Sequence, residues 1–122
     1  TLTPGGVERI TAHIDLFPTL CDLTGAKPPE GVAFDGRSLA PLLKNPKADW
    51  PERTLFTHVG RWPLGKAADA KFANCSVRRQ QWNLVSAAPG GKGKEPDGKP
   101  RWQLFDLSAD PGEKTDVAAA HP

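Results

Sequence analysis

Three cationic side chains are the candidates for binding an anionic ligand: His58, Arg61 and Arg78. His58 and Arg61 lie at the end of one predicted strand and in the loop after it, where side chains can face a cleft. Arg78 lies on the next predicted strand, and sequential strands usually pair. Guanidinium and imidazolium groups suit anionic esters because they donate charge-assisted hydrogen bonds. The alternative is that all three are solvated surface charges, and the sequence leaves both interpretations open.

Three other groups of polar residues have side chains suited to a metal site or a catalytic site, but none has the required pattern. His13 and Asp15 have donor atoms that a metal accepts, but no further ligands are fixed nearby, and helix capping explains Asp15 without a metal. The acidic stretch at 106–117 has Pro and Val where an EF-hand loop requires Gly and Glu. A hydrolytic triad has no support, because the chain lacks a Gly-x-Ser-x-Gly run.

The elements that must position these side chains begin with one short helix, predicted from Asp15 to Thr24. Asp15 is expected to cap the first turn, and Pro18 falls in that turn, where a missing N–H costs little. Gly25 is expected to end the helix in the left-handed conformation. The helix has an apolar stripe at helical spacing, formed by Leu16, Leu20, Leu23 and Phe17.

Short segments flank this helix. Apolar and polar side chains alternate weakly over residues 7–12, which are predicted to form an edge strand. Residues 39–43 are predicted to form a single helical turn capped by Ser38. Trp50 precedes a proline in a polar stretch and requires a packing site.

The remainder of the chain predicts an antiparallel sheet. Strands are predicted at 54–59, 75–85 and 102–107. The middle segment alternates imperfectly, so a bulge or turn is expected near 79–81. Residues 86–100 form a basic loop rich in Gly and Pro, and residues 113–120 a short amphipathic helix. The fold class is therefore α+β, with a small antiparallel sheet of three to four strands packed with a C-terminal helix.

Composition narrows the classes of partner. The chain has 122 residues, and its 16 basic and 14 acidic side chains give a net charge of +2, which is too balanced to indicate nucleic acid. No apolar run reaches the roughly 20 residues that a membrane span needs. The chain starts at Thr1 and contains no Met, so we expect a piece of a longer protein. Cys21 and Cys75 allow one disulfide, although two reduced, packed cysteines are favoured.

Two blocks of sequence resemble a known family. The first block is HIDLFPTL at 13–20 with Gly25, followed by FDGRSL at 34–39 and PLL at 41–43. The second block is WQLFDL at 102–107, followed by DPGE at 110–113 and DVA at 116–118. In type, order and separation these blocks resemble the C-terminal part of the type I sulfatases, the arylsulfatase-like hydrolases of the alkaline phosphatase superfamily. They cover most of the chain.

The resemblance implies a domain organisation. Residues 1–45 would be the end segment of the family's large α/β domain, with an edge strand, a helix and a loop. Residues 46–122 would form the C-terminal antiparallel-sheet subdomain. The apolar face of the helix at 15–24 would then pack against a domain absent from this chain, so the isolated chain is expected to be only marginally stable or to self-associate.

The resemblance also implies calcium and formylglycine as cofactors of the parent enzyme, and no cofactor in this chain. Formylglycine forms in the family's motif Cys/Ser-x-Pro-x-Arg. Cys75 and Arg79 have the spacing of that motif, but Val77 stands in place of Pro, and the family's motif lies far upstream of the blocks matched here. Cys75 is therefore interpreted as a strand cysteine.

Two functions follow from this interpretation. In the first, the chain is the C-terminal part of a sulfatase that shapes the substrate pocket and stabilises the catalytic domain without catalytic residues, and is inactive alone. Its partners would be the catalytic domain of the same enzyme and a sulfated small molecule or sugar, in a periplasmic, secreted or lysosomal protein. In the second, it is a stand-alone binding or structural module with the same fold. A Cys/Ser-x-Pro-x-Arg motif encoded upstream would favour the first.

Overall fold

A computed structural model describes residues 5–86 and 100–122. The chain divides into two units, Thr1–Glu52 and Arg53–Pro122, the first helical and the second built on one antiparallel sheet. The α+β class predicted from the sequence is confirmed. Most of the basic loop predicted at 86–100, namely residues 87–99, lies outside the described residues. No helix in the described ranges is long and apolar enough to cross a membrane.

The first unit is organised on helix α1, Leu16–Thr24, which continues from a short 3₁₀ turn at His13–Asp15. Gly25 ends α1 in the left-handed conformation at φ 73°, as the sequence predicts. A second helix, α2, spans Ala40–Lys44, one residue beyond the predicted turn.

The hydroxyl of Ser38 accepts a hydrogen bond from the Ala40 N–H at 3.2 Å, which agrees with its predicted capping role. Trp50 is half-buried and donates from Nε1 to the Ile10 carbonyl oxygen at 3.3 Å, which gives it the packing site that it requires. The edge strand predicted at 7–12 is wrong, because those residues are irregular. The first unit has no strand among its described residues to pair with them, and an unpaired extended segment forms no ladder hydrogen bonds.

The prediction that Asp15 caps α1 is also wrong in its geometry. Asp15 is buried with a helical backbone, and its side chain makes no capping hydrogen bond to α1. Its Oδ2 instead accepts from the Ala12 N–H at 2.7 Å, and its Oδ1 accepts from the Arg37 N–H at 2.9 Å. One turn further on, the Thr19 hydroxyl accepts from the Leu39 N–H at 2.8 Å. The two side chains thus fix the segment after the helix onto its first turn.

Gly36 brings the backbone of the segment at 34–39 against the start of the helix. A Cβ at this position would lie 1.9 Å from the Ile14 carbonyl oxygen, so the backbone of Gly36 lies directly against the 3₁₀ turn. The runs at 13–20 and 34–39, which stand apart in the sequence, therefore contact each other in the fold.

The apolar stripe of α1 faces away from the core of the first unit. Leu16, Leu20 and Leu23 are 57%, 59% and 55% exposed. The buried residues of α1 are Thr19 and Cys21 instead. A contiguous exposed apolar helix face of this kind marks a surface for contact with another protein segment.

The second unit is a four-stranded antiparallel sheet in the order β1-β2-β3-β4. The strands are β1 Thr54–His58, β2 Cys75–Arg79, β3 Trp82–Ser86 and β4 Trp102–Asp106. The segment predicted as one strand at 75–85 is two strands, since Arg79 pairs with Trp82 and the chain reverses through Gln80 and Gln81. Gln80 adopts φ 50°, the left-handed conformation that tight hairpin turns require.

The predicted C-terminal helix is much shorter than expected. Only a 3₁₀ turn at Ala118–Ala120 forms within the predicted span of 113–120. Glu113 adopts φ 51°, which a right-handed helix cannot continue through. The Asp110 carboxylate accepts from the Lys114 and Thr115 N–H groups at 2.6 and 2.7 Å, so local side-chain bonds replace helical ones.

The rest of this segment binds the outer edge of β4. The Asp116 carboxylate accepts from the Leu104 N–H at 3.1 Å and from the Ala118 N–H at 3.0 Å, and Val117 N–H donates to the Leu104 carbonyl oxygen at 2.8 Å. The hydrogen bond from Ala118 lowers the pKa of the Asp116 carboxyl. These bonds satisfy edge groups that would otherwise be open to another strand, and they explain why the tail is extended and not helical.

Candidate functional site

One row of side chains crosses the whole sheet at the end nearest the β1–β2 loop. In register from β1 to β4, the row consists of His58, Cys75, Ser86 and Trp102. Partners in register point to the same face of an antiparallel sheet, so all four side chains face one side. We call these residues the platform row, and each of them contacts the loop at 59–74.

His58 holds this loop through both ring nitrogens. The Gly60 N–H donates to Nδ1 at 2.9 Å, and Nε2 lies 3.1 Å from the Ala70 carbonyl oxygen. Because a carbonyl oxygen only accepts, Nε2 carries the proton and Nδ1 is the acceptor, which is the neutral imidazole. The ring also makes an edge contact with Trp62 at a centroid distance of 5.1 Å.

The other three members of the platform row hold the far end of the loop at Phe72. The Cys75 thiol donates to the Phe72 carbonyl oxygen at 3.6 Å, and the fully buried Ser86 hydroxyl donates to the same oxygen. The Phe72 ring lies 6.0 Å from the Trp102 ring in an edge arrangement. Cys75 and Cys21 are both free thiols in the structure.

Arg61 lies between Gly60 and Trp62, which both contact the His58 ring, and its side chain is exposed. It has no hydrogen bond or ion pair with any residue that the structure describes. The other described cations of the loop are compensated, since Lys66 pairs with Asp69 at 3.1 Å and the Lys71 ammonium lies 5.0 Å from the centroid of the Phe72 ring. Among the described residues, Arg61 is therefore the cation of this loop for which the structure gives no intramolecular partner.

Arg78 lies on the other side of the sheet. Its register partners are Leu55 on β1 and Asn83 on β3, and its odd spacing from Cys75 places it on the face opposite the platform row. Of the three cations proposed from the sequence, Arg61 thus lies in the loop segment that the His58 ring contacts, and Arg78 lies on the face of the sheet opposite His58. The sequence analysis missed Ser86 and Trp102, whose convergence on the loop depends on the register of all four strands.

The described residues do not fit either cofactor of the sulfatases. No group of three or more His, Cys, Asp or Glu side chains in the described ranges could hold a metal ion. Cys75 is half-buried, its thiol donates to a loop carbonyl, and Val77 stands where the modification motif has Pro. An exposed guanidinium such as that of Arg61 has the chemistry to donate charge-assisted hydrogen bonds to an anion.

Comparison with known sequences identifies the relatives of this chain. Over residues 3–121 it matches the family described as N-sulphoglucosamine sulphohydrolase, C-terminal. Arylsulfatase K of Mus musculus is 30% identical over 118 residues, which cover 95% of this chain and 19% of the relative. The chain spans about a fifth of the length of such curated relatives.

Solved structures agree with this relationship. Phosphonate monoester hydrolase of Agrobacterium radiobacter is 26% identical with a TM-score of 0.56, over 93% of this chain and 22% of that one. A protein solved in complex with its substrate D-glucosamine-2-N,6-O-disulfate has a TM-score of 0.55 over 85% of this chain and 19% of its own, and its 24% identity supports the fold alone. The resemblance of the two sequence blocks to the C-terminal part of a sulfatase is confirmed, and the chain belongs to the N-sulphoglucosamine sulphohydrolase C-terminal family.

Proposed function

We propose that this chain is the C-terminal part of a sulfuric ester hydrolase, in which it stabilises the catalytic domain and shapes the substrate pocket without supplying a catalytic residue. Family membership supports the placement. The observation that supports the pocket role is the exposed guanidinium of Arg61, which has no partner among the described residues and lies on a loop held by the platform row. Calcium and formylglycine would be supplied by other parts of the enzyme, which would be periplasmic, secreted or lysosomal.

The exposed face of α1 supports contact with the catalytic domain. Leu16, Leu20 and Leu23 present apolar surface that the first unit does not cover itself. Burial of such surface stabilises by about 25 cal/mol per Å², which makes a leucine-rich helix face an effective docking element. In the isolated chain the same face would favour self-association.

The guanidinium of Arg61 would bind an anionic, non-reacting group of a sulfated sugar or small molecule. Arg suits this task because its planar fork of donors matches a sulfate or carboxylate in a bidentate way. His58 lies beside Arg61 in the same site. Arg78 would contribute to binding only at a surface on the opposite face of the sheet, and its role as a substrate contact is a separate hypothesis.

The test of this proposal is removal of the Arg61 guanidinium in the full-length enzyme. Arg61→Ala is expected to raise KM for a sulfated glucosamine by about tenfold, the lower end of the value for a hydrogen bond to a charged group, because the site is exposed. KM for 4-nitrophenyl sulfate, which is too small to reach a remote cation, is expected to rise less. Michaelis–Menten kinetics on both substrates measure the difference.

Lys66→Ala is the matched control, because it removes a cation from the same loop that Asp69 already neutralises. It is expected to leave both KM values near wild type. Arg78→Ala tests the opposite face in the same assay. Equal KM values for Arg61→Ala and Lys66→Ala on the sulfated sugar would exclude Arg61 from substrate binding.

A second expectation concerns the chain alone. The isolated 122 residues are expected to show no turnover of 4-nitrophenyl sulfate with calcium present, since the described residues fit neither a calcium site nor the modification motif. The measurement is release of 4-nitrophenol against a buffer blank. Turnover that persists in Cys75→Ala would contradict a purely accessory role.

The alternative function is a stand-alone binding or structural module that shares the sulfatase C-terminal fold. Such a module would use the Arg61 loop to bind sulfated ligands without an attached catalytic domain. A reading frame that continues upstream into a Cys/Ser-x-Pro-x-Arg motif would exclude it.

A further inference from the structure

We infer that His58 is a positioning residue: it fixes the 59–74 loop so that Arg61 is presented to the anionic group of the substrate, and it does not bind the substrate itself. This inference rests on the proposed role of Arg61. The sequence predicts that His58 and Arg61 both bind the ligand, whereas this inference assigns binding to Arg61 and positioning to His58.

The first argument is that the polar atoms of His58 are already occupied. Nδ1 accepts from the Gly60 N–H at 2.9 Å and Nε2 donates to the Ala70 carbonyl oxygen at 3.1 Å. A neutral imidazole has one donor and one acceptor, so a ligand would have to displace one of these bonds. Arg61, in contrast, has no partner among the described residues for its five N–H donors.

The second argument is the position of the two bonds along the chain. Gly60 immediately precedes Arg61, and Ala70 lies at the far side of the loop, so one ring joins both ends of the segment that carries Arg61. Within the segment, Lys66 N–H donates to the Pro63 carbonyl oxygen at 3.0 Å, and Ala70 N–H donates to that of Ala67 at 3.2 Å. Without the ring, the segment would have to be ordered when the ligand binds, which weakens binding.

The third argument is that this effect is separable from folding of the sheet. The far end of the loop is held at Phe72 by Cys75, Ser86 and Trp102, independently of His58. His58 is itself exposed at the end of β1. Its removal should therefore release the part of the loop that carries Arg61 while the strands stay paired.

The experiment is a double-mutant cycle in the full-length enzyme, with the sulfated glucosamine and 4-nitrophenyl sulfate as probes. His58→Ala is expected to raise KM for the sulfated glucosamine several-fold, and the increase is expected to disappear on the Arg61→Ala background. His58→Asn retains an acceptor near Nδ1, and His58→Gln a donor near Nε2. Each is expected to restore part of the wild-type KM.

The outcomes separate this inference from the proposed function. If Arg61→Ala raises KM but His58→Ala raises it by the same factor in both backgrounds, His58 acts on its own and the inference is overturned. A wild-type KM in His58→Ala would overturn it too. If Arg61→Ala itself leaves KM unchanged, the proposed function of Arg61 fails first. Should His58→Ala fail to fold, the same cycle with the Asn and Gln variants decides between coupled and independent effects.

Discussion

Gly36→Ala is expected to lower the free energy of unfolding of this chain by about 3 kcal/mol or more, at the upper end of the cost of overpacking. The added Cβ would lie 1.9 Å from the Ile14 carbonyl oxygen and 2.6 Å from its carbonyl carbon. Both atoms belong to backbone, so no rotamer change can relieve the overlap. The 3₁₀ turn is also held by the bonds of Asp15, which limits its retreat.

Urea unfolding of the 122-residue chain, followed by far-ultraviolet circular dichroism at low protein concentration, measures this loss. Gly6→Ala is the matched control, because a Cβ there meets no atom of the described residues within 4 Å and its φ is not in the left-handed region. That variant is expected to stay within about 0.5 kcal/mol of wild type. A shared urea midpoint for the two variants would mean that Gly36 does not lie against the 3₁₀ turn.

The strands of the second unit were predictable because β-branched and aromatic runs of the right length fix them locally. The turn within 75–85 was only approximately located, since Gln80 and Gln81 have none of the Gly, Asn or Asp signals of a tight hairpin. The C-terminal helix was overpredicted for a different reason. The hydrogen bonds of Asp116 to β4 are tertiary, and helical periodicity in a sequence window does not report them.

In the candidate site, too, local features could be predicted from the sequence, whereas features that depend on strand register could not. His58 and Arg61 are close in sequence, so their proximity followed from the strand end alone. The face of Arg78 depends on where β2 begins, and a shift of one residue would have reversed it. The platform row could not be predicted, because its four members come from strands whose mutual register is fixed only in the folded sheet.

The first sequence block also has a structural explanation that capping propensity did not provide. Asp15 and Thr19 are one helical turn apart and both are buried. Their side chains accept the N–H groups of Arg37 and Leu39, so acceptors one helical turn apart match donors two residues apart on the segment after the helix. The two runs of the block are therefore the two sides of one hydrogen-bonded contact.

Asp15→Asn is accordingly expected to lower the free energy of unfolding by about 2 kcal/mol or more, although the Asn side chain has nearly the same size and shape as that of Asp. The two carboxylate oxygens accept from Ala12 and Arg37 N–H groups on different segments. A side-chain amide has only one oxygen, so in either orientation its NH₂ group faces one of these donors. That N–H then loses its acceptor in a site where Asp15 is fully buried.

Asp22→Asn is the control, because it makes the same substitution at an exposed position of α1, and its expected change in the free energy of unfolding is within about 0.5 kcal/mol. Urea unfolding gives the global effect, and hydrogen exchange of the Ala12 and Arg37 amides reports the contact itself. Faster exchange at one of these two amides, with smaller changes in exchange rate elsewhere, is the expected local signature of a lost acceptor. A shared urea midpoint for Asp15→Asn and Asp22→Asn, with unchanged protection of the Ala12 and Arg37 amides, would mean that Asp15 does not join the runs at 13–20 and 34–39. The contact between these runs would then depend on Thr19 and Gly36 alone.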